Sequence, residues 1–189
     1  ADANDLEIVV NATANDASGG DDVTLELKGD VNLNVGGGIT LNSASGEVAT
    51  LKFNKGSAQT MVGDIKAAAD GEGVVDVNNA LTTNDDIGVA GTGIGSIQIA
   101  SGVTLSQTAL AASDALTFDV VGNIDADGAG ATGGTLTITG GAASGTTVGD
   151  AITLATITGT TTLTALNFTG GAGAANASGG GDGGAVINA

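Results

Sequence analysis

Oxygen is the main ligand chemistry this chain offers. Acidic residues gather in glycine- and asparagine-rich stretches: Asp16 with Asp21 and Asp22, Asn84 with Asp85 and Asp86, Asp125 with Asp127, and Asp182. Calcium takes six to eight oxygens from carboxylates, carbonyls and water, and glycine-rich turns expose carbonyls well. Asp21, Asp22, Asp85, Asp86, Asp125 and Asp127 are therefore the candidate ligands of a structural calcium ion. The stretch NIDADGAGATGG (Asn123–Gly134) opens like a calcium loop at Asp125, Asp127 and Gly128, but no glutamate follows at the twelfth position. No segment matches the Gly-Gly-x-Gly-x-Asp nonapeptide of calcium-stacked rolls. Solvated turn acids are the competing reading of the same residues.

Other chemistries are poorly supplied. With no histidine or cysteine, imidazole and thiolate catalysis, disulfides and the usual zinc or copper ligands are absent. Paired carboxylates can hydrolyse glycosides, yet no Trp, Tyr, Arg or His accompanies them to hold a sugar. No catalytic or cofactor-binding residue is assigned, and the expectation is a protein that is not an enzyme. Four lysines (Lys28, Lys52, Lys55, Lys66) stand against 21 Asp+Glu, a formal net charge of −17. Such a chain repels nucleic-acid phosphates and anionic lipid headgroups. No apolar run approaches the roughly 20 residues of a membrane helix.

The elements that would position these acids are short strands. Apolar residues alternate in bursts such as Leu6/Ile8/Val10, Val23/Leu25/Leu27, Leu51/Phe53, Ile97/Ile99, Leu116/Phe118/Val120 and Leu136/Ile138. That is the period of a strand with one buried face. Gly, Asn, Asp and Ser punctuate the bursts as turn residues. Helix is a minor alternative for GDIKAAADGEG (Gly63–Gly73) and SQTALAASDAL (Ser106–Leu116). ATLKFNKG, GSIQIASG, GTLTITGG and ALNFTGG share one outline, and VGDI, VGNI and VGDAI form a second echo. Degenerate repeats of this kind signal stacked units that cannot bury their apolar face alone. The expected architecture is all-β, a parallel β-helix (β-solenoid), with an antiparallel sandwich as the competitor. Coils of roughly 20–25 residues predict about eight or nine coils and a narrow interior of Leu, Ile, Val and Ala. Residues 1–169 form the repeat domain, and 170–189 form a Gly-rich flexible segment ending in a short strand, GGAVINA.

GGTLTITGGAASGTTVGD (Gly133–Asp150) resembles the passenger-associated repeat of Gram-negative autotransporters. GEVATLKFNKGSAQTMVGDI (Gly46–Ile65) is similar in style to the passengers of rickettsial-type surface antigens. The resemblance implies a right-handed parallel β-helix at a cell surface and supplies no catalytic residues. No C-terminal barrel follows in this sequence.

These readings converge on an extracellular structural protein, secreted or at the cell surface. It would self-assemble into a surface layer, filament or other homo-oligomer through β-edge pairing, with calcium offsetting carboxylate repulsion. The alternative is an adhesin contacting a host or neighbouring cell surface or matrix partner. Thr-rich TLTIT (Thr135–Thr139) and TTTLTAL (Thr160–Leu166) raise ice binding, where flat Thr-x-Thr ladders match water spacing. Two such stretches make no regular ladder, and the β propensity of threonine accounts for them. Sequons at Asn11, Asn167 and Asn176 are expected by chance in so Asn-, Ser- and Thr-rich a chain.

Overall fold

A computed structural model describes residues 6–12, 22–34, 36–44, 46–89, 91–108, 116–120, 124–125, 133–139, 152–157 and 163–169. Every strand pairing in it is parallel. The chain is a β-solenoid, and no helix occurs among the described residues. Its rungs follow in order. The first holds β1 (Glu7–Ala12), β2 (Val23–Leu27) and β3 (Val31–Asn32); the second β4 (Gly38–Ser43), β5 (Ala49–Phe53) and β6 (Gln59–Val62). The third holds β7 (Asp64–Ala67), β8 (Glu72–Val77) and β9 (Leu81–Thr83). In the fourth, Ile87 bridges Ile65 and Phe118 in place of a strand, ahead of β10 (Ile94–Ile99) and β11 (Thr104–Thr108). The fifth holds β12 (Leu116–Val120), β13 (Ile124–Asp125) and β14 (Gly133–Thr139), and the last β15 (Ile152–Ile157) and β16 (Leu163–Thr169).

Three faces result. Face one runs β1-β4-β7 and continues through Ile87 to β12 and β15. Face two runs β2-β5-β8-β10 and then β13, with β12 touching β10 at Val120 and Ile94. Face three stacks β3, β6, β9, β11, β14 and β16.

Alternation sends every second side chain inward, and parallel register puts like on like. Ile39, Ile65, Ile87 and Phe118 form one inner column; Leu51, Val75, Ile97 and Ile124 form another; all are fully buried. Phe53 sits over Leu27 and under Val77, also fully buried. The interior thus admits two phenylalanines, Phe53 and Phe118, beyond the small aliphatics expected. Stacking costs no extra polar burial, because each strand's backbone is satisfied by its neighbours.

The coil length differs from expectation. Paired residues lie 22 apart at Ile65 and Ile87, but 36 apart at Leu116 and Ile152. Among the described residues, face three carries six strands and so six levels, against the eight or nine expected for the whole chain. At the usual strand spacing it rises roughly 25 Å from first to last level. Extra chain enters at corners, while the strand register is kept.

The corners explain the rejected helices. Ile65 and Ala67 point inward and Lys66 outward, so IKA is strand; Ala69–Glu72 then closes a turn, Glu72 N–H donating to Ala69 O at 3.2 Å. Gly71 has φ 83° at the third position, as a type II turn requires. The same closure recurs at Ala44–Glu47, Val89–Thr92 and Ala100–Val103, each with a glycine of positive φ at that position. In the second helical alternative, Ser106–Thr108 belong to β11 and Leu116 to β12; 109–115 lie outside the described residues, as does 170–189.

Candidate functional site

The acidic residues act first on the backbone. Where the chain turns a corner, strand pairing lapses and N–H groups lose their ladder partners. Five aspartates meet them by reaching to the next rung. Asp22 Oδ1 accepts from Val48 N (2.8 Å), Asp30 Oδ1 from Thr60 N (2.9 Å), and Asp70 Oδ1 from Gly93 N (3.0 Å). Asp64 Oδ1 accepts from Asp86 N (3.3 Å), and Asp86 Oδ1 from Thr117 N (2.7 Å). Each is a charge-assisted bond joining two coils.

Of the predicted calcium ligands, the structure brings Asp85 and Asp86 together at the corner before Ile87 and adds Asp64, which sequence reading did not select. Asp22 lies away from them, on the first rung below Val48. Asp125 pairs with Gln98 in the ladder. Asp21 and Asp127 lie outside the described residues. Among the described residues, no group of three or more Asp or Glu side chains is arranged to hold a metal ion.

The Asp64–Asp86 pair is nevertheless electrostatically distinct. Burial raises the Asp64 carboxyl above the ordinary aspartate value, against the Asp86 N–H, the Lys66 charge and a hydrogen bond with the Asp85 side chain. Burial also raises Asp86, against the Thr117 N–H, and the negative charge of Asp64 adds to the rise. Asp30 and Glu26 move the other way. A hydrogen bond from Lys55, then one from Thr60 N–H, lowers Asp30; hydrogen bonds from Asn54 and Lys28 lower Glu26.

A pH profile follows with a definite sign. The raised pair contributes stability that is full below the ordinary aspartate value and lost as pH rises through the raised values. Asp30 and Glu26 contribute stability that is lost as pH falls through their lowered values. Stability is therefore expected to climb on acidification from neutrality and then fall in stronger acid. Asp86→Asn keeps an acceptor for Thr117 N–H and removes the charge. It is expected to melt higher than wild type at neutral pH and to lose that advantage in acid, read by thermal denaturation across pH.

Beneath this corner lies Gln107, fully buried, whose Nε2 donates to Asp85 O (2.9 Å) and Thr117 O (2.8 Å). Gln59 does the same between faces two and three of the first two rungs, donating to Leu27 O (3.2 Å) and Gly29 O (2.6 Å). Both glutamines occupy inner ladder positions, Gln59 beside Leu81 and Gln107 beside Thr83 and Ile138. A lone Gln at an apolar-phase position was the available signal for these corner braces.

Among the described residues, a shallow groove of about 400 Å3 lies where the stacked turns join faces one and two, with Ser43, Glu47, Glu72 and Ser96 on its wall. Glu72 Oε2 accepts from Ser43 N (3.3 Å), and Ser43 Oγ accepts from Ala49 N (2.9 Å) and Gly73 N (3.2 Å). Its polar groups brace the corner, and no aromatic or basic residue lines it. The other cations are likewise spent within the stack: Lys52 meets Asp76 at 2.7 Å and Lys55 meets Asp30 at 2.7 Å.

Face three differs from the others. None of its six strands contains Asp, Glu, Lys or Arg. Its outward columns are hydroxyl-bearing: Thr60, Thr82, Ser106 and Thr137 follow one another, then Asn167; Thr135 stacks on Thr104 and Thr139 on Thr108. Sequence reading found TLTIT and TTTLTAL, which overlaps the adjacent β16, but missed β9 and β11, because TLSQT holds a single Thr-x-Ser-x-Thr and LTT is only three residues long. No family model, curated protein or solved structure matches the chain.

Proposed function

We propose that the protein is an extracellular structural element that associates with copies of itself through the open end of its stack, forming a layer or filament. The observation that carries this reading is the first rung. Among the described residues, β1, β2 and β3 each pair on one side only. Gly38 N donates to Leu6 O (3.0 Å) and Ala44 N to Ala12 O (2.9 Å), so even-numbered residues of β1 face β4. Alternation along a parallel ladder leaves the backbone groups of Glu7, Val9 and Asn11 facing outward. Leu6 and Val9 are 56% and 57% exposed, and Ile8, Leu25, Leu27 and Val31 lack the full cover of their partners one rung up. Unpaired edges of this kind recruit further strands. The acidic composition and the resemblance to surface passengers support an exterior location, and divalent cations would offset the repulsion between copies carrying −17 each.

Light scattering and negative-stain microscopy, with and without calcium, test the proposal. Wild type is expected to form concentration-dependent assemblies that calcium enlarges and EDTA shrinks. Val9→Pro removes an outward N–H without touching the β1–β4 ladder and is expected to leave a folded monomer. A wild type that stays monomeric with calcium, and instead binds cells, supports the adhesin reading.

A further inference from the structure

We propose that face three binds the surface of ice, with its hydroxyl columns acting as a template for ordered water. Hydroxyls recur along two axes. Along a strand, Thr104, Ser106 and Thr108 occupy alternate positions on one side, as do Thr135, Thr137 and Thr139. Across strands, Thr104 pairs with Thr135, Ser106 with Thr137, and Thr108 with Thr139. Alternate residues of a parallel strand repeat at about 6.6 Å and adjacent strands at about 4.8 Å. A grid of oxygens and methyls at those two spacings approximates the oxygen repeats of the ice lattice.

Regularity supports the assignment. The β9–β11, β11–β14 and β14–β16 pairings run without a register shift, whereas β12–β15 slips between Phe118 and Asp119. Inner neighbours hold the grid rigid: Leu81, Leu105, Leu136 and Ile138 are buried directly behind it. Charge complementarity supports it as well. A strongly hydrated ion must shed water to meet a solid lattice, at considerable cost. The chain has 21 Asp+Glu and 4 Lys+Arg, yet this face has none of them on its strands. Faces one and two each carry charges outward, Glu7 and Lys66 on one, Glu26 and Lys52 on the other. The proposal is independent of self-association, which uses the end of the stack and not its side.

Ice growth in the presence of the purified full chain is the test. Nanolitre osmometry is expected to show faceted crystals and a freezing point held below the melting point. Thr137→Lys and, separately, Ser106→Lys place a cation at the centre of the grid and are expected to cut that gap about tenfold, because a hydrated ammonium must shed water to meet the lattice. Thr50→Lys, outward on face two, is expected to leave it unchanged. Circular dichroism establishes that each variant is folded, and two substitutions on separate strands keep the test valid if one misfolds. Round crystals with no gap from folded wild type overturn the proposal. So does an unchanged gap in the folded Thr137→Lys and Ser106→Lys proteins. If wild type leaves ice untouched and Thr137→Lys instead abolishes self-association, the face is a contact between copies and the proposal is equally overturned.

Discussion

Phe53→Ala is expected to lower stability by about 3–5 kcal/mol, the usual cost of removing a fully buried phenylalanine. Its ring lies between Leu27 and Val77 in an inner column, fully buried. A solenoid interior is poorly able to collapse into the resulting void. Ladder bonds on both sides hold the backbone of β5 to β2 and β8, so the strands cannot close in without breaking register. Urea denaturation followed by far-ultraviolet circular dichroism reads the loss. A change below about 0.5 kcal/mol, the level of ordinary surface substitutions, would show that the column is not tightly packed.

The second large effect is expected at Gly73. It has φ 75°, and an added Cβ would lie 2.5 Å from Leu41 Cβ and 2.7 Å from Leu41 Cδ1. Gly73→Ala therefore combines a left-handed penalty of about 1–2 kcal/mol with an overpacking cost of about 1–3 kcal/mol. Gly46 separates the two contributions. Its φ is 90°, but nothing lies within 4 Å of the position a Cβ would take. Gly46→Ala is expected to show the conformational penalty alone, so the difference between the variants in the same denaturation assay measures the clash with Leu41. Equal losses would place the Leu41 side chain elsewhere.

These positions show what was legible beforehand. Strand period was the clear signal: ATLKF and GSIQI fall on one face two rungs apart, and GTLTIT and ALNFT pair directly, Leu136 on Leu166. Their shared outline reflects shared positions in the coil. The VGDI, VGNI and VGDAI echo was a mixed guide, since Ile65 and Ile152 belong to face one and Ile124 to face two. Coil length was misjudged because corner insertions leave no mark on strand pattern. The Ala-x-Gly-Glu turns at Ala44 and Ala69 were readable in the sequence, and their spacing would have given one coil directly. Of the five bonding aspartates, sequence reading singled out Asp22 and Asp86, as candidate calcium ligands with turn acids as the competing reading, and passed over Asp30, Asp64 and Asp70. Their rung-to-rung bonds were not legible, because they depend on which residue arrives above them some 22–31 positions later.

Those five aspartate bonds also have a sense of direction. In each, the acceptor belongs to the earlier coil and the N–H to the later one. A polypeptide delivered amino terminus first, whether from a ribosome or through a narrow export channel, thus lays down waiting acceptors before their donors emerge. Winding can proceed as a one-way ratchet, each finished turn serving as the jig on which its successor is shaped.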